Sequence, residues 1–129
     1  MTNIDLAAYK SLYLKTAREH VNNLKKNLQL LNTDPTDKKA IFEMFRLFHS
    51  LKSQNFFMGF EKTAQLCKVF EDFFREINEG KKTYKLDMSN ITFKTIDELE
   101  NSLNQIDTNN SETDLSQYII SLGNNLRQL

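Results

Sequence analysis

Apolar residues along this chain recur at three- and four-residue spacing, the period of a helix surface rather than the two-residue alternation of a strand. Leu6, Tyr9, Tyr13, Ala17, Leu24, Leu28 and Leu31 trace one stripe, which predicts a first helix from about Ile4 to Leu31 with Asn3 as its cap. The run NTDPTD breaks it. A second helix is expected from Thr36 or Asp37, turning Ala40, Ile41, Met44, Phe45, Phe48 and Leu51 inward and ending before Gly59. A third, about Glu61 to Asn78, buries Ala64, Cys67, Phe70, Phe74 and Ile77 and stops at Gly80, the residue most often found just past a helix end. After the turn GKKTYKLD, a fourth helix from about Ser89 to Ile106 uses Ile96, Leu99, Leu103 and Ile106. The polar linker DTNNSETD leads to a fifth, for which Ser111 and Asp114 have the spacing of a capping pair and Leu115, Tyr118, Ile119, Leu122 and Leu126 form the stripe.

Five amphipathic helices joined by short loops predict an all-α fold: an antiparallel four-helix bundle with an additional C-terminal fifth helix. The length of 129 residues suits one domain, residues 1–129, with a real hydrophobic core. Three Gly and one Pro are few enough to leave those helices uninterrupted. No internal repeat is visible.

Charge narrows the function classes. Seventeen basic and seventeen acidic side chains cancel, so the chain lacks the positive field by which proteins hold nucleic acid. The single Cys67 has no internal disulfide partner, the start MTNIDLAAYK lacks the pattern of a signal peptide, and no apolar run reaches the roughly 20 residues of a membrane span, so a cytoplasmic location without membrane insertion is expected. Two histidines and one cysteine on three different helices do not have metal-ligand spacing, and no metal is expected.

The candidate chemistry lies in FRLFHSLKSQNFFMGF, residues 45–60. His49 and Lys52, at i and i+3, share one helix face, so the ammonium can approach whatever the imidazole holds. An imidazole nitrogen is a competent nucleophile near neutral pH, and a neighbouring cation offsets charge on a phosphoryl group. On spacing alone, a merely structural histidine beside a lysine is favoured by roughly three to one, because positions three apart are neighbours in any helix. His20 has no motif around it and is read as structural. Most of the Phe56, Phe57 and Met58 cluster is assigned to the core.

The stretch FRLFHSLKSQNFFMGF followed by EKTAQLCKVFEDFF resembles the histidine-containing phosphotransfer domain, especially the amino-terminal domain of CheA-type chemotaxis histidine kinases. The matching elements are Phe45 and Phe48, the H-x-x-K of His49 to Lys52, the M-G-F of Met58 to Phe60 and the Leu-Cys-x-x-x-Glu-Asp of the third helix. The resemblance implies that His49 accepts a phosphoryl group from a histidine kinase catalytic domain and passes it to an aspartate of a response-regulator receiver domain. Lys52 would stabilise that group. Glu71 would orient the imidazole through one nitrogen and leave the other free, whereas Asp72, about 100° further round, is read as a solvated surface acid. Ser53 and Gly59 would belong to the neighbouring surface. The chain departs from the family pattern at Ser53, often glycine, at the bulky Gln54 to Phe57, and at Lys68, where chemotaxis kinases often carry a second histidine. No cofactor is implied in this chain, since ATP and magnesium belong to the partner kinase and receiver domains. The alternative is a helical protein-interaction module that keeps the bundle without phosphotransfer, and its mark would be a buried His49. An acid/base enzyme using His49 and Glu71 on a small molecule would instead need a concave pocket around them.

Overall fold

A computed structural model describes the backbone from residue 3, and the side chains from residue 7, to residue 129. Five α-helices follow one another: α1 (Asn3–Thr33), α2 (Lys38–Met58), α3 (Glu61–Asn78), α4 (Ser89–Asn109) and α5 (Ser116–Arg127). One turn of 3₁₀-helix, Leu86–Met88, precedes α4 and was not foreseen from the sequence. The described residues contain no strand. The first four helices form the antiparallel bundle, α2 packing most extensively on α3 and α1 lying against both α2 and α4. The fifth helix rests chiefly on α3.

Local chemistry sets the boundaries. Asp37 caps α2 by accepting a 3.0 Å hydrogen bond from the Ala40 amide, satisfying one of the donors a helix start leaves open. Gly59 closes α2 in the left-handed region, φ +84°, while the Phe60 amide reaches back to the Asn55 carbonyl at 2.9 Å. That pairing satisfies the last carbonyls and lets α3 start almost at once. The fourth helix runs three residues beyond the expected Ile106, because Asn110 takes up the left-handed conformation, φ +58°, one of the few non-glycine residues that tolerates it.

The core is built largely from the expected stripes, with Leu24, Leu31, Met44, Phe48, Leu51, Phe70, Phe74, Ile96 and Leu99 fully buried. Four aromatic rings lie at its centre: Phe48 contacts Phe70 and Phe74 at centroid distances of 5.3 and 6.0 Å, and Phe73 meets Phe74 edge-on at 5.2 Å. Phe45 is only half-buried against this cluster.

Three expectations are corrected. Phe56 and Phe57 are exposed, Phe57 to 73%, and of that cluster only Met58 packs against the core. The inward stripe of α2 continues from Phe48 and Leu51 to Asn55, whose side chain is satisfied by the Tyr13 hydroxyl and the Leu51 carbonyl, so the two phenylalanines are rotated outward. Tyr9 is likewise exposed and meets Phe57 edge-on at 6.2 Å. Ser111 and Asp114 do not make a capping pair: Asp114 accepts from the Ser116 amide, while Glu112 turns away to the start of α3, taking hydrogen bonds from the Thr63 amide and hydroxyl, both at 2.7 Å. The capping role expected of Asn3 and the inward position expected of Leu6 concern side chains outside the described ones.

Candidate functional site

Two helices build the site. His49 lies in the middle of α2 with its backbone fixed by the buried Phe48 and Leu51 on either side, so the ring at position 49 is carried to the outer face and is 55% exposed. Across the α2–α3 interface stands Glu71, one residue past the buried Phe70 on the inward side of α3. Its side chain is 1% exposed, yet its carboxylate reaches the edge of the bundle where the polar groups lie.

Three basic groups meet that carboxylate. The Oε2 atom lies 3.2 Å from Nδ1 of His49 and 2.5 Å from Nη2 of Arg75, while Oε1 lies 2.7 Å from Nζ of Lys52. The Lys52 contact is a close ion pair, and among the stabilising influences on the carboxylate it is the largest. Burial pushes the Glu71 carboxyl up, but the hydrogen bonds and charges of Lys52 and His49 outweigh it, and the net shift is downward from the ordinary 4.5. The group is an anion at neutral pH.

An ionised carboxylate beside Nδ1 selects the tautomer in which Nδ1 carries the proton and donates it, which leaves the lone pair on Nε2. Among the described residues none is hydrogen-bonded to Nε2. The resulting arrangement is a nucleophilic nitrogen turned to solvent, its opposite nitrogen anchored on a buried negative charge, with an ammonium one turn along the helix. The larger surface concavities are lined by other residues: one of about 450 Å³ lies beside Asp87, Asn90 and Asn125, one of about 430 Å³ at the Pro35 and Tyr84 end, and an open apolar groove of about 400 Å³ runs between α1 and α2 beside Tyr9, Leu12, Ser53 and Phe57. Nothing in this geometry encloses a small molecule against His49.

Of the other residues singled out by sequence, Ser53 is exposed one turn beyond His49 and borders the apolar groove. Gly59 caps the same helix ten residues from His49, about 15 Å along its axis, so its role is the turn into α3. Asp72 is directed away from the ring and bridges Lys68 at 3.0 Å and Arg75 at 2.8 Å. His20 is partly buried near Arg46, and burial followed by that positive neighbour holds its pKa down. Cys67 is wholly buried, which pushes its thiol pKa up and keeps it unreactive. Arg75 escaped the sequence reading. Its signal was present in the E-D-x-x-R spacing, which puts Glu71 and Asp72 four and three residues before it on one helix face.

The described residues form an all-helical bundle that presents one open ring nitrogen on its outer face while a buried carboxylate fixes the other, an arrangement suited to carrying a chemical group. The Hpt domain family matches residues 8–109, and the chain belongs to that family as a phosphotransfer module. Among curated proteins it is 28% identical over 120 residues to the chemotaxis protein CheA of Bacillus subtilis, covering 92% of this chain and 18% of that protein. It is 33% identical over 98 residues to the CheA of Halobacterium salinarum, covering 76% of this chain and 15% of that one. The chain thus spans less than a fifth of the length of these relatives. The fold is that of the CheA phosphotransferase domain from Thermotoga maritima, with a TM-score of 0.75, 24% identity and coverage of 84% of this chain and 100% of that one. It also matches a solution structure of the histidine phosphotransfer domain of CheA, with a TM-score of 0.84, 23% identity and coverage of 93% and 90%. The described helices include none long and apolar enough to cross a membrane.

Proposed function

We propose that His49 is the phosphoacceptor of a chemotaxis-type phosphorelay, charged by a histidine kinase catalytic domain and discharged to the aspartate of a response-regulator receiver domain. The observation that carries this reading is the pairing of an exposed ring with a buried carboxylate: His49 is 55% exposed while Glu71, 3.2 Å from its Nδ1, is 1% exposed. In the forward step the Nε2 lone pair attacks the terminal phosphorus of ATP, an N–P bond forms as the P–O bond to the leaving ADP breaks, and the positive charge gained by the ring faces the Glu71 carboxylate. In the onward step the N–P bond breaks as a receiver carboxylate oxygen takes the phosphoryl group, and Nε2 recovers its lone pair. Nucleotide and magnesium are supplied by the partner domains. A flat, open site suits both encounters, because each partner must close around the ring to bring its own reactive atoms in line. The exposure of His49 disfavours the interaction-module alternative, whose mark was a buried ring. Such a relay operates in the cytoplasm.

Incubation with ATP and a CheA-type kinase catalytic domain, followed by mapping of acid-labile phosphate, tests the reading. His49→Gln is expected to abolish incorporation with the helical circular-dichroism signal unchanged, and His20→Gln to change neither. Phosphate mapped to another residue would overturn the assignment.

A further inference from the structure

Lys52 faces a conflict. To neutralise a phosphoryl group on Nε2 of His49 its ammonium must be available, yet at rest it is held 2.7 Å from Oε1 of Glu71, a carboxylate 1% exposed. Removing the sole counter-cation of a buried carboxylate is costly, so a lysine serving alone would be retained there. Glu71 has a second cation. The Arg75 guanidinium lies 2.5 Å from Oε2, on the oxygen opposite Lys52, and is itself fixed from two further sides: Nη1 lies 2.8 Å from Asp72 and the group sits 5.6 Å from the centre of the Phe45 ring. Asp72 is in turn held at 3.0 Å by Lys68. The side chain is 42% exposed, but its planar fork has three partners, which is the arrangement in which arginine keeps one geometry.

We infer that Arg75 is a positioning residue that holds Glu71 in place and charged while Lys52 moves from Oε1 to the phosphoryl group on His49. Arg75 does not touch the reacting atoms. It makes Lys52 mobile by supplying the positive charge that Glu71 would otherwise lose, and its effect on transfer passes through Lys52. This rests on His49 being the phosphoacceptor.

The consequence is an unusual kinetic coupling: without Arg75, Lys52 stays on Glu71 and no longer contributes to transfer, so the two substitutions should not multiply. The test uses the 129-residue chain with phosphoramidate as a small phosphoryl donor, whose N–P bond breaks with release of ammonia as the Nε2–P bond forms. Lys52→Ala and Arg75→Ala are each expected to slow phosphorylation roughly three- to tenfold, the double variant to be no slower than the worse single one, and Arg75→Lys to recover to within about threefold of wild type. An NMR signal of the Lys52 ε-methylene should shift on phosphorylation of the wild type and stay in place in Arg75→Ala, a readout that a merely structural arginine would not move. Circular dichroism checks that each variant remains helical. If wild type is phosphorylated on His49 but Arg75→Ala matches its rate, or the single effects multiply in the double variant, or the Lys52 signal shifts equally in Arg75→Ala, the role of Arg75 is overturned and the phosphoacceptor assignment stands. If wild type takes no phosphate on His49 from either phosphoramidate or the kinase, the assignment falls and the role of Arg75 with it.

Discussion

Replacing Glu71 by glutamine keeps the shape of the side chain and removes its charge, and the three basic contacts let the effect be worked out. Stripping one partner from a buried ion pair costs about 3 to 5 kcal/mol when the remaining charge stays buried. Here Lys52 and Arg75 both keep access to water, and Arg75 keeps Asp72 at 2.8 Å, so the loss of stability should be nearer about 1 to 3 kcal/mol. The pH dependence has a definite sign. The Glu71 carboxyl sits below its ordinary 4.5 in the folded chain, so its contribution is fully present above that value and is lost as pH falls through the lowered folded value. The gap between wild type and Glu71→Gln should therefore be constant near neutrality and close in acid. For the reaction, a charge-assisted hydrogen bond is roughly twice as strong as a neutral one, so the half-exposed His49 loses on the order of 1 kcal/mol of orientation, or about fivefold in phosphorylation rate. Urea denaturation at pH 7 and below pH 4, with initial rates of phosphate incorporation at pH 7, measures both. A variant that is less stable but phosphorylated at the wild-type rate would refute the orientation of the imidazole by Glu71 and leave that carboxylate a structural one.

Phe48→Ala should cost about 3 to 5 kcal/mol in urea denaturation, since it empties a fully buried position touching both Phe70 and Phe74. Glu112→Ala should cost about 1 to 2 kcal/mol in the same measurement, because it removes the acceptor for the Thr63 amide and hydroxyl at the start of α3, and Glu112→Gln should lose less. Gly59→Ala should cost about 1 to 2 kcal/mol; nothing lies within 4 Å of the added methyl, so the whole effect comes from the left-handed backbone and would be absent if φ relaxed freely.

The helices were legible because their causes are local. Apolar spacing, the Asp37 cap and the glycines at 59 and 80 act within a few residues of chain, and the α3 bounds, Glu61–Asn78, coincide with those read from the pattern. His49, Lys52 and Glu71 could be named for a different reason, the family resemblance carried by FRLFHSLKSQNFFMGF, whereas helical spacing alone put only His49 and Lys52 on one face. What the sequence could not determine were matters settled between helices. Whether Phe56 and Phe57 pointed in or out depended on Asn55 finding the Tyr13 hydroxyl on α1, 42 residues away in the chain, because a buried amide is tolerated only with partners. Glu112, in the loop between α4 and α5, caps α3 by accepting from the Thr63 amide 49 residues away, because the first amides of a helix have no partner within it. The charge cluster around Glu71 was decided in the same way. The packing of α2 on α3 brings His49 and Lys52 of one helix to the carboxylate of the other, and adds Arg75 from the next turn of α3. Each pair depends on distance in space, which a one-dimensional pattern records only when both partners share a helix.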